Sequence, residues 1–172
     1  MKLIRLLYKN SNLKNKMNRY LKLALCILLP LTVGGISGFA TATSINTWYV
    51  TLNKPFFNPP NYLFGPVWTT LYILMGVSLY LILQTPKNEL RKKAITVFVI
   101  QLFLNFWWSF IFFKFHYLGI ALIEIITMWI YILIMIIYFH KIYKTAAYLQ
   151  IPYLMWVSFA TLLNASLWWL NR

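Results

Sequence analysis

The chain has 172 residues, of which 61% are apolar, 19% aromatic and 10% charged, with a formal net charge of +14. Soluble domains run at roughly 45–50% apolar and about 25% charged, so a water-soluble fold is excluded. The cations sit at the ends of apolar runs and form no basic stripe on a compact domain, so nucleic acid is not an expected partner.

Residues 1–20 read as a basic amino-terminal tail, and residues 21–172 as one all-α domain of five membrane-spanning helices. The first apolar run is Leu21–Ile45. Its basic start and the small-residue pattern Ala40-Thr41-Ala42 resemble a cleavable leader, but the basic region is long and the apolarity continues to Ile45, so the segment is expected to be retained. Gly34 and Gly38 carry the Gly-x-x-x-Gly spacing that lets helices approach closely, at a dimer seam or within the chain. The connection 46–63 contains Lys54-Pro55, Pro59-Pro60 and several aromatics. Its prolines bar regular helix, and its length suits a lid.

The remaining helices are expected at about 64–84, 94–113, 119–139 and 147–170. Each run is near or above the ~20 residues that cross a ~30 Å hydrocarbon layer. They lack the period-2 alternation of an outer-membrane strand, and a backbone in lipid must satisfy its own hydrogen bonds, which leaves helices. The connections after the second, third and fourth helices are short, so sequential neighbours are antiparallel in a compact bundle. Of the sixteen Lys and Arg residues, thirteen fall on the side of the amino terminus and three (Lys54, Lys114 and Arg172) on the other. The positive-inside rule then puts the amino terminus in the cytoplasm and the carboxyl terminus outside. The basic tail is also expected to be drawn to anionic headgroups.

Catalytic groups are scarce. There is no Asp, and the only acidic residues are Glu89 and Glu124. His116 and His140 are 24 residues apart, about 36 Å of helix, so they share no metal within one chain. No HExxH, GxxxxGK[ST] or GxGxxG string occurs, and no paired carboxylates serve acid–base hydrolysis. Hydrolases, kinases and nicotinamide dehydrogenases are not expected, nor is a protein-held metal or an obligatory cofactor. Cys26 is the single cysteine, so no intrachain disulfide forms. Glu124 lies inside the fourth helix, where a carboxylate marks a functional site by default; a structural acid hydrogen-bonded to a Tyr, Ser or Trp across the bundle is the other reading.

Aromatic and amide side chains recur at helical spacing. Gln101, Asn105, Trp108 and Phe112 fall on one face of the third helix, Trp68, Tyr72 and Met75 on one face of the second, and Tyr153, Trp156, Ala160 and Leu163 or Asn164 on one face of the fifth. Amides facing lipid cost several kcal/mol each when unpaired, on the order of 2–7, so Gln101, Asn105 and Asn164 point inward. Helix–helix hydrogen bonding would explain that alone. Three aromatic faces beneath a lid point to an apolar, aromatic-walled cavity with a few polar groups fixing orientation. Trp168, Trp169, Tyr138 and Tyr143 suit interfacial belts.

The string Trp48-Tyr49-x-x-Leu52-x-Lys54-Pro55-x-x-x-Pro59-Pro60, then Phe64-Gly65-Pro66-Val67-Trp68-x-x-Leu71-Tyr72-x-x-Met75-Gly76, resembles the tryptophan-rich sensory protein / translocator protein family, also called peripheral benzodiazepine receptors. Gln101-Leu102-x-Leu104-Asn105-x-x-Trp108, Ala121-Leu122-x-Glu124 and Pro152-Tyr153-Leu154-x-Trp156-x-x-Phe159-Ala160-Thr161-x-Leu163-Asn164 resemble its third, fourth and fifth helices. The resemblance implies a five-helix bundle, often a homodimer. It also implies binding of porphyrins, haem precursors and other tetrapyrroles, of sterols in the mitochondrial branch, and of isoquinoline or benzodiazepine drugs. The ligand positions it implies are Trp48, Tyr49, Trp68, Asn105, Trp108, Trp156, Phe159, Ala160 and Leu163. Ala165 and Trp169 stand where the family's sterol-recognition stretch has Tyr and Arg, so cholesterol binding is expected to be weak or absent, as in a bacterial-type member. A bacterial inner membrane is the expected host, an organelle membrane the alternative. Function is then expected to be porphyrin sensing, regulation or carriage. The alternatives are photo-oxidative porphyrin degradation using Trp68 and Trp156, and a stress-response scaffold acting through partner proteins.

Overall fold

The computed structural model describes the backbone of residues 2–172 and the side chains of residues 19–172 apart from residue 40. The side chains of the basic tail before Arg19 therefore lie outside what is described. Six α-helices follow in order: α1 (Lys2–Ile45), α2 (Phe64–Leu83), α3 (Glu89–Ser109), α4 (Leu118–Ile142), the short α5 (Lys144–Tyr148) and α6 (Ile151–Leu170). No strand occurs among the described residues. Five segments are long and apolar enough to span a membrane: Arg19–Ile45, Asn61–Leu83, Glu89–Lys114, Leu118–Ile142 and Lys144–Leu170.

Local chemistry sets the boundaries. α3 begins at Glu89, five residues before the apolar run, because the Asn88 side chain accepts a hydrogen bond from the Arg91 amide at 2.8 Å and so caps the charged first turn. The fifth apolar segment is divided, where the sequence pattern suggested one helix over 147–170. α5 ends at Tyr148, and α6 restarts at Ile151 with Pro152 in its first turn, where a missing N–H is harmless. Gln150, in the break, is fully buried and its Nε2 donates to the Leu74 carbonyl of α2 at 3.4 Å. At its other end α3 widens into a π-helical turn, Phe110–Lys114, which turns Phe112 and Phe113 inward. The reversal into α4 runs through His116, the one non-glycine residue at positive φ (61°) among those described.

The helices close a ring. α1 packs on α2 and α3, α3 on α4, α4 on α6, and α2 on α5. Gly76 makes the α1–α2 approach possible: a Cβ there would land on the Ile27 Cα and the Cys26 carbonyl. The connection 46–63 folds over one end of the ring. Two 3-10 turns, Tyr49–Thr51 and Asn61–Leu63, bracket it. The Tyr49 hydroxyl donates to Asn58 Oδ1 at 2.6 Å within the loop. Asn171, just past α6, accepts from the Asn53 amide at 2.9 Å and donates to the Asn53 carbonyl at 3.0 Å, tying loop to helix end.

Candidate functional site

Beneath this lid lies a cavity of about 430 Å³ between α1, α2, α3 and α6. Its floor and walls form because glycine and aromatic faces oppose each other. Gly34, Gly35 and Gly38 of α1 present bare backbone, and Trp68 and Tyr72 of α2 stack with ring centres 5.5 Å apart. Trp108 and Phe112 stack at 5.2 Å along the end of α3. Trp156, Ala160, Leu163 and Asn164 complete the wall from α6, and Tyr49 and Asn61 close it from the lid. Gly34 serves packing within the chain, since a Cβ there would strike the Tyr72 ring, whereas Gly35 and Gly38 face open space.

Six of the nine ligand positions named from the sequence line this cavity: Tyr49, Trp68, Trp108, Trp156, Ala160 and Leu163. The other three sit behind the wall. Asn105 is buried, accepting from the Tyr72 hydroxyl at 2.7 Å and donating to the Tyr153 hydroxyl at 3.2 Å. Tyr153 in turn donates to Gln101 Oε1 at 2.9 Å. The three inward amides therefore differ in role: Gln101 and Asn105 knit α2, α3 and α6, while Asn164 reaches the cavity. Trp48 stacks face to face on His116 at 4.0 Å and meets the Phe112 edge at 5.7 Å, bracing the wall from outside. Phe159 lies 5.5 Å from Trp156 and 6.3 Å from Phe57 of the lid. Together with Trp156 it lines a separate, open groove between α2 and α6.

Most polar groups of the lining are already consumed. Asn164 accepts from Trp108 Nε1 at 3.3 Å and donates to the Leu118 carbonyl at 3.0 Å. Ser37, Thr41 and Thr69 bond carbonyls of their own helices. Besides the Asn61 and Ser109 side chains, two indole donors of the lining remain. Trp156 Nε1 is enclosed without a partner, and Trp68 Nε1 has no partner among the described residues. No charged residue lines the cavity. Burial pushes the Tyr49 phenol up to about 12, so at neutral pH it stays a donor to Asn58. The arrangement suits a flat, uncharged aromatic body that stacks on indoles and accepts one or two hydrogen bonds.

Glu124 lies elsewhere, in α4, and is no part of the cavity wall. Both carboxyl oxygens are enclosed, and the expected partner from Tyr, Ser or Trp is not found among the described residues. The indole of Trp129, also on α4, donates to Ser158 Oγ at 2.7 Å. No group of three or more His, Cys, Asp or Glu converges to hold a metal among the described residues. Sequence reading placed Asn164 on an inward stripe without assigning it to the site; its one-residue offset from Leu163 was the available signal. Asn61 and Ser109 carried no such signal, since neither belongs to an aromatic stripe.

Residues 26–170 match the family model described as the TspO/MBR family. The "Tryptophan-rich protein TspO" of Archaeoglobus fulgidus is 43% identical over 152 residues, covering 88% of this chain and 97% of that protein. The protein of the same name from Chlorobaculum tepidum is 43% identical over 153 residues, covering 88% and 96%. The "Translocator protein" of Homo sapiens is 34% identical over 123 residues, covering 70% and 73%.

Proposed function

The chain belongs to the TspO/MBR family, as an integral membrane bundle of five spanning helices, and from that premise we propose that it binds porphyrins and related flat tetrapyrroles beneath its lid. The observation that carries the reading is the cavity itself: three tryptophans and two tyrosines around about 430 Å³, with two indole N–H groups unspent. Volumes of ~300–1,000 Å³ are usual for small-molecule sites. Names given to relatives, sensory protein and translocator, support sensing, regulation or carriage as the use of such binding. The positive-inside rule supports a cytoplasmic amino terminus in a bacterial inner membrane, and the resemblance supports a homodimer with weak or no cholesterol binding.

Titration of detergent-purified protein with protoporphyrin IX, followed by the porphyrin absorption shift, tests this. Stacked aromatic pairs contribute about 0.5–1.5 kcal/mol, so Trp156→Phe is expected to weaken binding roughly 3- to 10-fold. Unchanged affinity in Trp156→Phe and in Trp68→Phe rejects the cavity as the site.

Photo-oxidative degradation is the second reading, favoured by Trp68 and Trp156 sharing one wall without hydrogen-bond partners. Under illumination, loss of porphyrin absorption that depends on the protein and on Trp68 supports it. Loss at the rate of free porphyrin removes it.

A further inference from the structure

The cavity wall has no charge, yet a porphyrin acid carries carboxylates. An ionised carboxylate moved into an apolar space without a cation is strongly disfavoured. The carboxylate edge must then remain at the mouth, where a cation is needed. Three cations belong to this end of the bundle. Arg172 is engaged with the Trp169 ring at 3.2 Å. Lys114 is exposed on the π-helical turn. Lys54 does not line the cavity itself but stands against its wall: its Nζ is 5.1 Å from the ring centre of Tyr49, a wall residue.

We propose that Lys54 is the carboxylate anchor of this site, pairing an ionised acid group of the ligand at the mouth while the apolar body enters beneath the lid. This rests on the tetrapyrrole reading above. Lys54 Nζ donates to the Val50 and Leu52 carbonyls at 3.1 Å each. An ammonium has three donors, so one N–H stays unspent, and the charge rests only against the Tyr49 ring. No acidic side chain neutralises it, because the chain has only Glu89, at the far end of α3, and Glu124, within α4. The four-carbon stem is flexible, and a carboxylate offers a stronger, charge-assisted bond than the two carbonyls Lys54 now holds. The loop is thereby closed over its own ammonium when empty and over the ligand's acid when filled.

The test compares protoporphyrin IX with its dimethyl ester on wild type, Lys54→Gln and Lys54→Arg. A charge-assisted bond is worth ~1.5–3 kcal/mol, so Lys54→Gln is expected to weaken the free acid about 10-fold or more while the ester changes by less than about 2-fold. Lys54→Arg keeps the preference for the acid. Raising salt from about 0.05 to about 0.5 M weakens acid binding to wild type and not to Lys54→Gln. Equal weakening of acid and ester in Lys54→Gln overturns the anchor in favour of a structural role in the loop. No change for either ligand overturns it in favour of Lys114 or Arg172. Wild type that binds neither porphyrin defeats the tetrapyrrole reading and the anchor with it; binding without charge dependence defeats the anchor alone.

Discussion

The two ends of the bundle are built on opposite plans. At the end away from the lid, Ile82, Phe98, Ile132, Met135 and Phe139 have no exposed surface, and Ala94 and Ala146 fill the gaps between them. Phe98 and Phe139 stack at 6.4 Å, and the Ser78 hydroxyl donates to the Ala146 carbonyl at 2.6 Å, so that end is solid. At the lid end the rings are more numerous, yet they surround space. Trp68, Trp108, Phe112 and Trp156 stand as walls because α1 opposes them with Gly35 and Gly38, which contribute no side chain to fill the gap. In lipid, where helix association rests on close packing more than on expulsion of water, leaving such a gap sacrifices van der Waals contact. The gap at the lid end is therefore not a way of holding helices together.

Glycine substitutions break the contrast most sharply. Gly76→Leu drives a side chain into the backbone of Ile27 and Cys26, and it is expected to cost about 3 kcal/mol or more. Gly38→Ala meets no atom within 4 Å, so thermal unfolding in detergent should show a change within about 0.5 kcal/mol. A Gly38→Ala protein as unstable as Gly76→Leu means the lid end is not hollow.

Tyr153→Phe tests the partition between the ends. Its hydroxyl donates to Gln101 and accepts from Asn105. Gln101 Nε2 already lacks a partner, so the variant leaves that buried amide with none. The expected loss is about 1–3 kcal/mol of stability, read by the same unfolding assay. Stability equal to wild type means that the network does not hold α2, α3 and α6 together.

The helices were legible because hydropathy alone decides which segments suit a bilayer. The stripes were legible because spacing fixes which residues share a face: Trp68, Trp108, Trp156 and Leu163 all meet at one cavity. Spacing does not say which polar group on a stripe is consumed by a neighbour. Asn105 and Asn164 look alike along the chain and both are claimed by neighbours, Asn105 by Tyr72 and Tyr153 and Asn164 by Trp108 and the Leu118 carbonyl, yet only Asn164 lines the cavity. Trp48 is similar: it belongs to the motif, but it sits behind the wall, stacked on His116, the residue at positive φ in the reversal into α4. The break before Pro152 was not foreseen, since one helix over 147–170 was expected; the burial of Gln150 against α2 shows why the interruption is stable.

The smallest expected effect concerns how the hollow end is closed. Asn171 Nδ2 donates to the Asn53 carbonyl at 3.0 Å and to the Leu167 carbonyl at 2.8 Å, and its Oδ1 accepts from the Asn53 amide at 2.9 Å. One side chain thus caps α6 and holds the lid at a point 118 residues away in sequence. These bonds are exposed or partly so, and each such bond is worth only about 0.5–1.5 kcal/mol net. Asn171→Ala is therefore expected to loosen the lid locally. Hydrogen exchange of the Asn53 amide should speed up about 5-fold, and a bound porphyrin should dissociate faster, with global unfolding unchanged. Were Asn53 equally protected in the variant, the lid would be held by the ring contacts of Trp48 and Tyr49 with Phe112 and of Phe57 with Phe159. A fall in global stability would instead mean that the lid end and the solid end unfold as one unit, which would erase the distinction between them.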